Sequence, residues 1–100
     1  MTRVKYHEAA QEELLNEIGY LELQAKGLGR RFLAEVRRTE LFIRDFPESA
    51  HEIIPGVRRQ TLRAFRYSLI YAIENEDLLI LAVAHDRRRP GYWKRRLKGI

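Results

Sequence analysis

The stretch His85-Asp86-Arg87-Arg88-Arg89-Pro90-Gly91-Tyr92-Trp93-Lys94-Arg95-Arg96 carries the densest chemistry in this sequence. Arginines interleaved with an aromatic pair suit a nucleic-acid surface, because guanidinium groups bridge phosphates while Tyr and Trp faces stack on unpaired bases. For the arginines, contact with an anionic target is the leading expectation over plain surface solvation. For Trp93 it is a place in the core or at its rim, where a lone Trp of a small domain usually sits. His85 closes an apolar run, so its imidazole could act as base or donor. The blander role, which leads here, is a hydrogen-bonded histidine holding the C-terminal segment, with Asp86 the candidate partner. His7 and His51 have no companions that would complete a three- or four-ligand metal site, and there is no phosphate-binding glycine loop or serine nucleophile motif. No metal and no cofactor are expected.

Charge adds direction to this picture. The net charge of +5 is unevenly spread: residues 1–56 hold 8 Lys/Arg against 10 Asp/Glu, and residues 57–100 hold 11 against 4, which gives −2 and +7. The C-terminal half is the expected anion-facing half. A length of 100 residues with 45% hydrophobic and 33% charged content describes one globular domain over 1–100 with a single small core. With no cysteine there is no disulfide, thiolate nucleophile or cysteine metal site. No run approaches the roughly 20 apolar residues of a membrane span, and the first residues lack a signal-peptide core, so the cytoplasm is the expected compartment and no membrane partner is foreseen.

The elements that must position these residues are legible from periodicity. Arg3-Val4-Lys5-Tyr6 alternates as a short strand does. From Glu8 the apolar positions Ala10, Leu14, Ile18, Leu21 and Ala25 recur at intervals of 4, 4, 3 and 4, one face of a helix. Glu8, Glu12 and Glu13 complement its dipole, Lys26-Gly27 should end it, and Gly29 should complete the turn. Phe32, Val36, Thr39, Ile43 and Phe46 follow at intervals of 4, 3, 4 and 3 and stop at Pro47, making a second helix and an antiparallel hairpin. Val57 to Arg63 reads as a strand. Phe65, Tyr67, Leu69, Tyr71 and Ile73 then occupy alternate positions of another, Asn75-Glu76-Asp77 is a turn candidate, and Leu78 to Ala84 reads as a strand covered on both faces. The expected class is α+β: a short N-terminal strand, a helical hairpin, a three-stranded antiparallel sheet and a basic aromatic C-terminal segment.

Taken in order, Val57-Arg58-Arg59, Phe65-Arg66-Tyr67, Ile70-Tyr71, Ile80-Leu81-Ala82-Val83-Ala84-His85 and Arg88-Arg89-Pro90-Gly91-Tyr92-Trp93 resemble the RelE/ParE superfamily of type II toxin-antitoxin toxins, closest to its ParE-like and plasmid-stabilisation members. Tyr6-His7-Glu8-Ala9-Ala10 with Glu13-Leu14, and Gly27-Leu28-Gly29 with Phe32, resemble the same family's entry into its two helices, so the resemblance spans nearly the whole chain. It implies the fold just described and a cognate antitoxin as partner. RelE-like members cut messenger RNA, usually on the ribosome; ParE-like members bind DNA gyrase. RNA cleavage needs a base for the ribose 2′-hydroxyl, cations for the charged transition state and a donor for the leaving oxygen. By position the resemblance assigns such roles to Arg59, to Arg87 or Arg88, and to Tyr92. Ser68 stands where RelE-like nucleases carry an arginine and Thr61 where they carry a lysine, which weighs against ribosome-dependent cleavage; Arg58, Arg63 and His85 could stand in.

The resulting expectation is a growth-inhibiting toxin that acts on an essential nucleic-acid machine, with DNA gyrase the first target. Its rivals are a metal-independent endoribonuclease using Arg59, His85, Arg87, Arg88 and Tyr92 on mRNA or the ribosome, and a non-toxic interaction module. Arg58, Arg63, Arg89, Trp93, Lys94, Arg95 and Arg96 are the candidate target contacts. The antitoxin should bring an acidic amphipathic segment, in a toxin-antitoxin hetero-oligomer, with Leu15, Leu23 and Leu41 as contact candidates off the main apolar stripes.

Overall fold

The computed structural model describes residues 3–99. In chain order the elements are β1 (Val4–Tyr6), α1 (Glu8–Gln24), α2 (Leu28–Asp45), β2 (His51–Ile54), β3 (Val57–Thr61), β4 (Tyr67–Glu74), β5 (Asp77–His85) and a short 3-10 helix (Lys94–Gly99). The sheet has five strands in the order β1-β5-β4-β3-β2, with β1 parallel to β5 and the other pairs antiparallel. This is an α+β architecture with two strands more in the sheet than the periodicity suggested. β1 joins its edge beside β5, and β2 is new. His51-Glu52-Ile53-Ile54 shows no clean alternation, because a bulge at Glu52/Ile54 interrupts its pairing with β3 and the strand lies mostly exposed at the sheet edge. The available signal was Pro55-Gly56: Ile54 pairs with Val57 across it, and Gly56 takes φ 81, the left-handed residue of a proline-led turn.

Both helices start and stop for local reasons. The His7 imidazole accepts the Ala9 N–H at 3.0 Å and caps α1. α1 ends at Gln24, two residues before the Lys26-Gly27 expected from sequence, and the left-handed Gly27 (φ 86) serves as the N-cap of α2 instead. Glu22 reaches forward to accept from Gly27 N at 2.8 Å and Gly29 N at 3.0 Å, supplying a carboxylate to the positive end of α2. Gly29 is therefore not a turn residue. It lies buried inside α2 where the two helices approach closely.

The sheet is the middle layer. On one side Ala10 and Leu14 of α1 and Phe32, Val36 and Ile43 of α2 pack on Tyr67, Leu69, Tyr71, Leu78, Ile80 and Val83. On the other, Val57, Ile70, Ala72, Leu79, Leu81 and Ala82 are covered by Trp93, Tyr92 and Leu97 from the C-terminal segment. That both faces of β5 are buried is what its unbroken apolar run required. A register shift at Ile70/Tyr71 pairs Ile70 with Ala82 and Tyr71 with Ile80, so Leu81 bulges and both Leu81 and Ala82 face the C-terminal segment while Ile80 and Val83 face the helices. Three apolar positions, two of the alternating strand and one of the helical stripe, depart from expectation. Phe65 precedes the strand and meets Phe32 edge-on at 5.2 Å, Ile73 is half exposed beside the hairpin turn, and Phe46 leaves α2's buried stripe to pair with Phe42 at 5.3 Å on the surface.

The β4–β5 turn is Asn75-Glu76, both with positive φ (51 and 68), the geometry of a two-residue hairpin loop in which asparagine then glycine is preferred. Glu76→Gly is expected to raise stability by roughly 0.5–1 kcal/mol, because removing Cβ relieves the left-handed penalty at this position. Urea unfolding measures it; a lowered midpoint would show that Glu76 makes a compensating contact.

Candidate functional site

Where β5 ends at His85 the chain reverses. Asp86 N donates across to Arg66 O at 2.9 Å beside the end of β4, and Arg88 N to His85 O at 3.0 Å, Tyr92 N to Arg89 O at 3.2 Å and Lys94 N to Gly91 O at 3.0 Å then make a succession of tight turns. Left-handed Gly91 (φ 76) turns the chain so that Trp93, two residues on, enters the second core, where it is 4% exposed. The returning segment stands off the sheet just enough to leave a cleft of about 310 Å³. Ile54, Ile70 and Trp93 make its apolar floor, and Arg59, His85, Arg88, Arg89, Tyr92 and Lys94 ring its mouth.

The Arg59 side chain extends from β3 and, like those of Arg89 and Lys94, makes no side-chain hydrogen bond or ion pair among the described residues. The Arg88 guanidinium stacks over the Tyr92 ring, 3.8 Å from its centroid. His85 lies edge-on to Tyr67 at 4.9 Å, and its Nδ1 accepts the Arg87 N–H at 3.0 Å. A neutral imidazole held this way carries its proton on Nε2 and offers a donor rather than a base. Its partner is the Arg87 amide rather than Asp86. Ser68 sits buried against the cleft.

Other sequence candidates lie elsewhere. Arg87 and Arg95 are exposed outside the cleft lining, and Arg63 borders a second groove with Arg38 and Phe42, beside α2. Arg58 turns under β2, donating to Glu48 O at 3.0 Å and Ala50 O at 2.6 Å and pairing with Glu52 at 3.8 Å. Arg96 is engaged inside the chain with Glu13.

Glu13 is the residue that the sequence reading missed as a site component, taking it for a helix-dipole carboxylate. Its Oε1 accepts from Val83 N at 2.9 Å and Arg96 Nη1 at 3.0 Å, and its Oε2 accepts from the Tyr92 hydroxyl at 2.8 Å and Arg96 Nη2 at 2.8 Å. Burial alone would raise its pKa, but the hydrogen bonds from Arg96, Val83 and Tyr92 outweigh this and hold the carboxyl below its ordinary range. Its stabilising contribution is therefore present above the usual carboxylate pKa and is lost as pH falls through the lowered value. Tyr92 moves the other way: burial, then the Glu13 carboxylate beside it, raises its pKa and keeps the hydroxyl protonated.

The signal for Glu13 was present in the stripe. Glu13 and Glu17 stand three and seven residues after Ala10, within α1's apolar face, and a carboxylate there calls for a buried donor. Glu17 receives the Tyr67 hydroxyl. In α2, buried Glu35 receives the Arg63 and Ala64 amides, and buried Glu40 the Tyr6 hydroxyl and Arg37. Four of the helices' acids are thus turned inward, and none of these four pairs with Arg59, Arg88, Arg89 or Lys94 at the cleft.

A strand, a helical hairpin and a five-stranded mixed sheet in this arrangement define the RelE/ParE-like toxin fold. Solved structures share it, among them a ParDE system and a RelE toxin. The chromosomal ParDE toxin-antitoxin system from P. aeruginosa superposes with a TM-score of 0.70 at 16% identity, over 85% of this chain and 96% of that one. The isolated E. coli RelE toxin superposes with a TM-score of 0.63 at 16% identity, over 98% of each chain. The family model described as ParE toxin of type II toxin-antitoxin system, parDE, matches residues 4–90, and the chain belongs to that family. No curated protein matches. Tyr92 and Arg96 lie beyond the matched residues. Among the described residues no helix is long and apolar enough to cross a membrane.

Proposed function

We propose that this toxin inhibits growth by binding the DNA-gyrase cleavage complex through the cleft ringed by Arg59, Arg88, Arg89 and Lys94. The observation carrying this reading is the commitment of the two candidate proton-transfer groups. The Tyr92 hydroxyl donates to Glu13 and His85 Nδ1 accepts the Arg87 amide, so the cleft offers free cations and a stacking surface while its imidazole base and its phenol are engaged. Such a surface binds nucleic acid through charge and stacking. One observation favours the endoribonuclease alternative: Arg59, His85, Arg88 and Tyr92 do converge on one cleft.

Incubating the purified chain with gyrase, ATP and plasmid, and separately with translating ribosomes and messenger RNA, tests the choice. The gyrase reading expects trapped cleaved plasmid and intact messages. Fragmented messages with unaffected supercoiling would establish the nuclease instead, and neither effect would leave the non-toxic interaction module.

The antitoxin segment should be acidic and apolar. Leu15, Leu23 and Leu41 stand 58%, 87% and 56% exposed on the helices, a larger apolar display than solubility favours. Co-expression with an adjacent gene product that covers them should restore growth to cells producing the chain.

A further inference from the structure

We infer that Glu13 is a positioning residue of the cleft: from α1, it fixes the Tyr92 ring and, through it, the Arg88 guanidinium on the cleft wall. The inference rests on the reading that the cleft engages nucleic acid, and it concerns how a helix on the opposite side of the sheet builds that cleft.

The arrangement begins at a bare sheet edge. β1 pairs with β5 only from Leu78 to Ile80, and the chain then leaves through His7 N donating to Ile80 O at 2.9 Å. Beyond that point Leu81 O and Val83 N on the edge of β5 have no strand beside them, and buried backbone groups must find partners. Glu13 accepts from Val83 N at 2.9 Å, and Arg96 donates to Leu81 O at 2.7 Å. The two side chains close on one another with Nη1 to Oε1 at 3.0 Å and Nη2 to Oε2 at 2.8 Å, a two-point pair that a carboxamide cannot reproduce. One acceptor position remains on Oε2, and the Tyr92 hydroxyl fills it at 2.8 Å.

Tyr92 is thereby fixed at both ends, by Trp93 buried beside its backbone and by Glu13 at its hydroxyl. Its ring faces Arg88 at 3.8 Å, with the Arg96 guanidinium 5.1 Å from the same ring. Arg88 has no carboxylate or carbonyl partner among the described residues, so the ring is what orients it. The chain of dependence runs from Glu13 to Tyr92 to Arg88. Arg59, held by β3, stands outside it.

Double-mutant cycles separate this from general structural support, because residues acting through one another are non-additive and independent residues add. The probe is a short fluorescent single-stranded DNA, with folding followed by Trp93 emission and circular dichroism. Glu13→Gln preserves size and one acceptor. It is expected to weaken binding roughly tenfold, close to Arg88→Ala, and to add almost nothing when combined with Arg88→Ala. Combined with Arg59→Ala its loss should add fully. Equal additivity with both arginines would overturn the proposal. A ligand-free measurement stands beside it: proton NMR contacts between the Tyr92 ring and the Arg88 side chain should vanish in Glu13→Gln, and their persistence would also overturn it. If the unaltered chain does not bind the oligonucleotide while these contacts are lost in the variant, the nucleic-acid reading of the cleft fails and the positioning by Glu13 stands.

Discussion

Arg59→Ala combined with Arg88→Ala is expected to abolish growth inhibition and lower affinity for the nucleic-acid target by about two to four orders of magnitude. Each guanidinium that meets a phosphate contributes roughly 1.5–3 kcal/mol as a hydrogen bond to a charged group, and 1.4 kcal/mol is tenfold in affinity. The salt dependence should flatten as well, by about two released counterions, because each lost phosphate contact removes one from the slope. Stability should hardly change. Arg59 has no partner to leave behind, and Arg88 gives up only its stacking on Tyr92, which costs about 0.5–1 kcal/mol at an exposed site. Fluorescence anisotropy at several salt concentrations, together with a thermal melt, reads all three quantities. Unchanged affinity and salt slope in a folded double variant would remove the cleft from the mechanism.

Gly29→Ala is expected to destabilise the fold by about 2–4 kcal/mol and lower its melting temperature by roughly 10–20 °C. Helix propensity alone argues the opposite, since alanine is favoured over glycine in a helix interior by about 1 kcal/mol. Packing decides the sign. A Cβ at Gly29 would lie 2.5 Å from Ile18 O and 3.2 Å from the Glu22 side chain. The first of these is backbone of α1, so relief requires the two helices to move apart. Their separation carries Phe32 and Val36 out of the core and disturbs the Glu22 cap on α2. Calorimetry would settle it, and a melting temperature equal to or above that of the parent would show that the hairpin adjusts at little cost.

The sequence by itself determined both helices, the β4–β5 hairpin and the double-sided burial of β5, because each rests on a repeat of 3.6 or 2 residues imposed by backbone geometry. It also placed Trp93 in or beside the core and concentrated positive charge in the C-terminal half. The resemblance of short motifs supplied the family. What local spacing left open was β2, whose four residues are too few and too interrupted to establish a period. It left open Gly29 too, which reads equally well as a turn residue or as a close helix contact.

Only the tertiary structure decided which basic residues are free. Arg88, Arg89, Arg95 and Arg96 are alike in sequence, yet Arg88 lies on an aromatic ring, Arg89 rings the cleft, Arg95 faces outward and Arg96 closes on a carboxylate 83 residues away. Glu13 likewise looked like one of several acids near a helix start until the uncovered edge of β5 and the returning C-terminal segment met it. A hydrogen bond requires donor and acceptor within about 3 Å. For residues so far apart in the chain that proximity is created by packing, and periodicity, being local, contains no record of it.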